Sequence, residues 1–155
     1  MADDLRSTIQ QFMAAHTTLS LATVDAAGLP HAASLFFAEE ENLSLIFVSE
    51  PTVLHSRNVA SQPRVSATIA ADGQLWQGIR GVQLEGGCAL LSEAEAQAAW
   101  EVYGAKFPFV KQDETLARRL RESGFYRIRP AWIRLVDNTR GFGFKEELVL
   151  APESP

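Results

Sequence analysis

Hydrophobic residues recur at helical spacing near the start of the chain and then alternate with polar residues in several short runs. Leu5, Ile9, Phe12 and Met13 would lie on one face of a helix, which predicts a helix over residues 4–15. The alternating runs predict strands over residues 17–24, 31–38, 43–48 and 65–71, and a longer strand from Arg80 to Leu90. The pattern therefore predicts a chain dominated by β-structure.

Capping signals predict three further helices. Thr52 is a candidate N-cap for a helix over residues 53–61, which Pro63 would end. Ser92 and Glu95 have the spacing of a capping box and open a second helix. Residues 113–123 are the third, so four peripheral helices are expected in all.

Glycine, aspartate and proline mark the predicted turns and breaks. Residues 25–30 are expected to turn, and Asp72-Gly73 gives the strongest short hairpin signal in the chain. Pro130 is expected to separate two strands, over residues 125–128 and 132–136.

Two predicted strands carry apolar residues on both faces. Residues 34–37 and 45–48 do not alternate, which indicates strands covered on the outside by helices or by a partner subunit. The predicted fold class is mainly β with peripheral α-helices: an antiparallel, Greek-key-like barrel of six or seven strands. No linker or repeat divides the chain, so residues 1–150 are expected to form a single domain, followed by a disordered tail over residues 151–155.

Composition and charge narrow the function classes. A net charge of −5 argues against a general nucleic-acid surface, although one local basic pocket for a single phosphate stays compatible with it. Cys88 is the single cysteine, which favours a reducing compartment and hence a cytoplasmic protein. The acidic N-terminus is unlike a signal peptide, and no apolar run approaches the length of a membrane span.

Common catalytic templates are missing from the sequence. Nucleotide-binding glycine motifs, zinc-protease motifs and nucleophile elbows do not occur. His16, His31 and His55 lack ligand spacing, so no metal site is expected. The acidic run Glu39-Glu40-Glu41 lies between two predicted strands and is interpreted as a solvated turn.

The connection after the third predicted strand is the best candidate for chemistry. Ser49, Thr52 and His55 surround the start of a predicted helix, whose N-terminal N–H groups attract anions. These residues form a workable phosphate cradle. An ordinary capped helix between two strands is the alternative interpretation.

Several motifs, taken in order, resemble the FMN-binding split-barrel family typified by pyridoxamine 5′-phosphate oxidase. They are the runs 28–33 (GLPHAA), 62–66 (QPRVS) and 79–86 (IRGVQLEG), with 106–108 (KFP) and 137–145 (DNTRGFGFK) similar to a small, functionally uncharacterised bacterial branch. The resemblance covers roughly residues 5–145. It implies a split β-barrel that holds FMN at the interface of a homodimer.

The resemblance also implies which residues contact the cofactor. Ala33, Ser34, Leu35 and Phe36 would lie along the isoalloxazine ring, and Val48 and Ser49 beside the ribityl chain. The first helical turn would meet the phosphate, with His55 standing where the family usually has Lys or Arg. Arg80 would approach from the central strand, and the run from Asn138 to Lys145 would close over the flavin from the other subunit.

Departures from the family pattern limit the predicted activity. Ala33, Ala38 and Leu54 stand where the enzymes that oxidise pyridoxamine phosphate carry cations, so that activity is not predicted. Two functions stay open. One is a flavin-dependent oxidoreductase acting on an unknown small molecule, and the other is a non-catalytic carrier or sensor of flavin, haem or another flat ligand.

Overall fold

The computed structural model describes residues 2–150, and over that range the chain forms five helices and eight strands. The helices are α1 (Ala2–Ala14), α2 (Leu54–Ser61), α3 (Glu93–Lys106), α4 (Phe109–Gln112) and α5 (Glu114–Glu122). The strands are β1 (Thr18–Val24), β2 (Pro30–Phe36), β3 (Ala38–Glu39), β4 (Leu45–Ser49), β5 (Arg64–Ala70), β6 (Arg80–Leu90), β7 (Gly124–Asp137) and β8 (Lys145–Val149). The predicted disordered tail, residues 151–155, lies outside the described residues.

All eight strands belong to one antiparallel sheet. Its order is β2-β1-β5-β6-β7-β4-β3, and β8 pairs with β7 beside this path. β2, at one edge, contacts β4 near the other edge without pairing with it. The sheet therefore curls into a barrel that stays open along one seam, which confirms the predicted mainly β split barrel with peripheral helices.

The barrel interior follows directly from the alternation in the sequence. β5 buries every second residue, and α1 buries Leu5, Ile9, Phe12 and Met13, the four residues that predicted it. These side chains share one core with Leu21 of β1 and Leu84 of β6. Each fully buried large side chain stabilises the fold by about 1.5–3 kcal/mol relative to an exposed one.

A second core explains why β4 is apolar on both faces. Leu45 and Phe47 point into the barrel, while Ile46 packs outside it against Trp100 and Tyr103 of α3. The outer face of β4 is thus covered by helices of the same chain. The even-numbered residues of β2, including Ser34 and Phe36, stay exposed within the single chain.

The predicted break at Pro130 is wrong, because β7 runs through it as a continuous strand. Glu85 pairs with Trp132 but Gly86 pairs with Pro130, so Ala131 is the extra residue of a β-bulge. Pro130 fits there because Gly86 lets the two backbones approach closely. A Cβ at Gly86 would lie 2.8 Å from the Cα of Pro130.

The hairpin predicted at Asp72-Gly73 is present, because β5 and β6 pair as antiparallel neighbours, but its connection is wider than a two-residue turn. Gly73 does adopt the positive φ of a turn, 72°, but residues 71–79 form a wider loop with a 3-10 turn at Trp76–Gly78. The Gln74 side chain holds this loop by donating to the carbonyl of Ala71 and accepting from the amide of Arg80. This side-chain bridge supports a loop that turn propensity alone does not predict.

Two of the three residues in the acidic run are paired rather than solvated. Glu39 accepts a hydrogen bond from Lys106 of α3, and both side chains are largely buried. Arg127 of β7 donates to both carboxylate oxygens of Glu40, over 2.7 and 3.1 Å. Glu41 alone matches the solvated turn predicted for this run. The run therefore ties β3 and its following turn to α3 and β7.

Candidate functional site

The seam of the barrel is bordered by the end of β4, by α2 and by β2. β4 ends at Ser49, and α2 contacts β1, β2 and β6. Ser49 Oγ lies 2.6 Å from His55 Nε2, so the two side chains predicted to hold a phosphate are joined by a hydrogen bond. The ring of Phe47 meets His55 edge-on, with centroids 6.3 Å apart, and fixes the imidazole from the barrel side.

The N-terminus of α2 has no side-chain cap. Val53 occupies the N-cap position in an extended conformation and makes no side-chain cap hydrogen bond, so the prediction that Thr52 caps this helix is wrong. Thr52 is exposed one residue earlier. The first-turn amides of Leu54, His55 and Ser56 have no acceptor within the helix, and no acidic residue lies in that turn. This end of α2 is therefore suited to an anion.

Burial lowers the pKa of His55 below its usual value, because desolvation disfavours the charged imidazolium. The imidazole is thus neutral near pH 7 in the protein alone. It can accept from the Ser49 hydroxyl or donate to it, depending on the tautomer. An anion placed at the helix N-terminus would raise the pKa of His55 again and favour its protonation.

The predicted ring-binding residues on β2 divide between its two faces. Leu35 packs against the barrel core, and Ala33 points to the same side because it is two residues away. Ser34 and Phe36 point outward, and the Phe36 ring lies 5.4 Å from that of Phe107. β2 is the last strand of the sheet, so alternate backbone N–H and C=O groups along it face the open seam.

Arg80, Asn138 and Lys145 lie at the opposite end of the β6–β7 ribbon from His55. Ser49 pairs with Gly124 at one end of β7, whereas Arg80 pairs with Asp137 at the other. Thirteen residues of strand at about 3.3 Å each place these pairs on the order of 40 Å apart along β7. Within one chain, the structure therefore does not bring Arg80 to the phosphate cradle.

The contacts of these three residues are structural within the single chain. Arg80 Nε lies 3.4 Å from Asp137 Oδ2, and its guanidinium lies over the ring of Phe12. Asn138 Nδ2 donates to the carbonyl of Trp76 over 2.7 Å, and its Oδ1 accepts from the amide of Gly143. Lys145 begins β8 and is exposed.

Sequence reasoning missed two side-chain pairs on the β1–β2 hairpin. Asn58 of α2 donates to Thr23 Oγ1 of β1 over 3.1 Å, and both residues are buried. His31, which pairs with Thr23 across the hairpin, places Nε2 2.8 Å from Asp25 Oδ2. The signal for the second pair was present in the predicted turn at residues 25–30. The first pair joins positions 35 apart in sequence, and only the fold brings them together.

Two other features are absent from the part of the chain that the structure describes. Among residues 2–150, no group of three His, Cys, Asp or Glu side chains is placed to hold a metal ion. Over the same residues, no helix combines the length and the apolar character required to cross a bilayer.

An antiparallel barrel that stays open along one seam, with peripheral helices, defines the split-barrel class. The chain belongs to the pyridoxamine 5′-phosphate oxidase family, because that family's model matches residues 5–137. This confirms the resemblance drawn from the sequence motifs.

Individual proteins are similar to this chain in sequence or in fold. A UPF0306 protein of Yersinia pseudotuberculosis is 29% identical over 114 residues, which cover 73% of this chain and 72% of the relative. The structure of a haem-binding protein from Mycobacterium smegmatis matches with a TM-score of 0.74 and 19% identity, over 93% of this chain and 57% of that one. A Listeria innocua protein provisionally named a pyridoxamine 5′-phosphate oxidase matches with a TM-score of 0.65 and 21% identity, over 84% and 97%.

Proposed function

We propose that the protein binds FMN in the seam between β2, β4 and α2, with the phosphate at the N-terminus of α2. The observation that carries this proposal is the uncapped first turn of α2 beside the hydrogen-bonded pair of Ser49 and His55. Free amides, a hydroxyl and a titratable imidazole within one turn are the groups that a phosphate ester requires. Thr52 is exposed next to this turn and adds a second hydroxyl.

The flat ring of the cofactor would extend from α2 along β2. Small side chains at Ala33 and Ser34 leave room beside the strand, and the open backbone edge of β2 offers donors and acceptors to the polar rim of the ring. Val48 ends β4 next to Ser49 and would border the ribityl chain. When bound, the flavin supplies hydride or electron transfer, while these residues bind and orient it.

A second copy of the chain would complete the site. The end of the molecule that carries Arg80, Asn138 and Lys145 also exposes four large apolar side chains: Leu75, Trp76, Ile79 and Phe142. A cluster of this kind is typical of a protein interface. In a homodimer, this end of one protomer would close the seam of its partner, and light scattering at micromolar concentration should then give the mass of a dimer.

The missing cations argue for a different substrate from that of pyridoxamine 5′-phosphate oxidase. Leu54 stands where those enzymes would have a cation facing the phosphate, and here it is an exposed hydrophobic residue. The proposed activity is therefore that of an FMN-dependent oxidoreductase acting on another small molecule. The lone, buried Cys88 favours a reducing location such as the cytoplasm.

Haem binding is the second candidate function, favoured by the structural match to the Mycobacterium smegmatis haem-binding protein. A haem propionate is also an anion and could use the same helix N-terminus. A porphyrin gives a Soret band and a flavin does not, so the two candidates differ in the absorption spectrum of the loaded protein.

The deciding experiment titrates the ligand-free protein with FMN and, separately, with haemin, following absorbance, flavin fluorescence and melting temperature. FMN should quench on binding and raise the melting temperature. His55→Gln should weaken FMN binding about tenfold at mildly acidic pH, whereas the exposed neighbour Arg57→Gln should leave it unchanged. Haemin uptake without FMN uptake would favour the second candidate, and uptake of neither would exclude both.

Turnover is tested separately on the FMN-loaded protein. Anaerobic NADH or NADPH should bleach the flavin absorption if the protein is an oxidoreductase that uses a nicotinamide donor. A flavin that stays oxidised with both donors, but is reduced by dithionite, would indicate a carrier or an enzyme with another donor.

A further inference from the structure

A cavity of about 320 Å³ lies between α2 and the outer ends of β6 and β7. Its lining is mostly apolar and includes Val59, Ala60, Cys88, Leu90 and Tyr126, and it opens to solvent where Ala60 and Leu90 are exposed. Tyr126 stacks on Phe47 with centroids 5.1 Å apart, and Phe47 in turn contacts His55. The cavity adjoins the proposed phosphate site, because Ser56 lines the cavity and also belongs to the first turn of α2.

One polar group in the cavity wall lacks a partner. Ser56 of α2 is 2% exposed, and its Oγ atom makes no hydrogen bond to any described residue. A buried hydroxyl without a partner is costly, and native proteins rarely leave one. Ser56 therefore has an unused donor at the edge of an apolar space.

The neighbouring thiol shows how apolar this wall is. Burial raises the pKa of Cys88 to about 12, so the group stays a neutral thiol at any physiological pH. A neutral thiol behaves as a small hydrophobic group. Ser56 Oγ is thus an unpartnered donor in a largely hydrophobic wall.

We propose that this cavity binds a compact apolar molecule that carries one hydrogen-bond acceptor directed at Ser56 Oγ. A closed apolar cavity of about 150 Å³ accepts benzene, so a space about twice as large suits a molecule of about two fused rings. The class is therefore a bicyclic aromatic or alicyclic ketone, ether or ester without charge. This site does not depend on the cofactor proposed for the seam.

The test compares two probes that differ only in the acceptor: 1-indanone, a bicyclic ketone, and indane, its parent hydrocarbon. Binding is followed by amide chemical shifts of Ser56, Cys88 and Tyr126 in the wild-type protein without added cofactor. We expect saturable shifts with both probes and about tenfold tighter binding of 1-indanone. Absence of shifts with either probe up to its solubility limit would overturn the proposal.

Three variants locate the site. Ser56→Ala should lower the affinity for 1-indanone to that for indane, because it removes the donor and keeps the cavity. Ala60→Phe should abolish binding of both probes by filling the space, and this exposed position tolerates the larger side chain. Ala98→Phe, the same change at an exposed position of α3, should bind as the wild type does. A preference for 1-indanone that survives Ser56→Ala, or unchanged binding by Ala60→Phe, would refute the site.

Discussion

Gly86 and Gly87 are neighbours in β6 that should respond in opposite ways to the same substitution. At Gly86, an added Cβ would lie 2.8 Å from both the carbonyl carbon of Arg129 and the Cα of Pro130, and closer still to the Arg129 carbonyl oxygen. At Gly87, an added Cβ would meet no atom within 4 Å. Neither residue has a positive φ, so the comparison isolates the steric clash from backbone strain.

The clash at Gly86 cannot be relieved by rotating a side chain, because the opposing atoms belong to the backbone of β7. Alanine there must push the bulge apart and weaken the ladder between the two longest strands of the sheet. Overpacking of this kind costs about 3 kcal/mol or more when only backbone can yield. In a domain of this size, that loss lowers the melting temperature by about 6–12 °C.

The assay is urea denaturation of Gly86→Ala and Gly87→Ala at one protein concentration, followed by circular dichroism. Gly87→Ala should stay within about 0.5 kcal/mol of the wild type, or gain slightly from reduced freedom of the unfolded chain. Both variants should keep the wild-type dependence of the unfolding free energy on urea concentration, which would show that unfolding exposes the same amount of surface. If the two variants were equally stable, the close approach of β6 to Pro130 would be wrong.

Three further predictions concern polar contacts near the seam. A bound phosphate raises the depressed pKa of His55, so the contribution of His55 to FMN affinity is present below the free-protein pKa and is lost as pH rises through the bound-state pKa. The FMN affinity of the wild type relative to His55→Gln should therefore fall from about ten near pH 5 to about one near pH 8, and a constant ratio would exclude the contact. Asn58→Ala should lower the free energy of unfolding in urea by about 1–3 kcal/mol, because it leaves Thr23 Oγ1 buried and unpaired. The same change should lower it less in a Thr23→Val background, and equal losses would contradict a direct bond. A hydrogen bond from His31, aided by backbone amides, lowers the pKa of Asp25, so the stability that this carboxylate adds is present above the unfolded-state pKa and is lost as pH falls through the folded-state pKa. Asp25→Asn should therefore reduce the fall of the urea midpoint with decreasing pH below about pH 4, and an unchanged fall would refute the pairing.

Local patterns were enough to predict most of the secondary structure. The helical spacing of α1, the alternation in β1 and β5, and the capping box at Ser92 all appear as expected. These signals depend on residues close in sequence, so single-chain patterns report them well. The barrel itself followed from strands that were apolar on both faces.

Features that depend on contacts between distant segments were not predictable in the same way. Pro130 predicts a break between two strands. Because Gly86, across the ladder, has no side chain, Pro130 instead lies beside a bulge within one continuous strand. β8 was missed because a short exposed run, residues 145–149, becomes a strand only by pairing with β7. Glu40 reads as solvated until the fold places Arg127 beside it.

The candidate site was predicted in part. Ser49 and His55 lie within hydrogen-bond distance of each other because both belong to one short connection, and their contact with a phosphate stays a prediction. Arg80 is far from them within the chain, since the direction of a strand decides which of its ends meets a given helix. Sequence motifs alone carry no information about that direction. Whether Arg80 reaches the site of a partner subunit stays a prediction.

The burial of Cys88 provides a built-in reporter of unfolding. Cys88 is 2% exposed and burial raises the pKa of its thiol to about 12, so alkylating reagents should react slowly with the folded protein and much faster once it opens. β6 is hydrogen-bonded to β5 on one side and to β7 on the other, which ties that opening to loss of the sheet. Because the chain has one cysteine, each opening event adds a single mass tag. The labelling rate measured by mass spectrometry therefore gives the frequency of opening in the unmodified sequence, without an engineered probe.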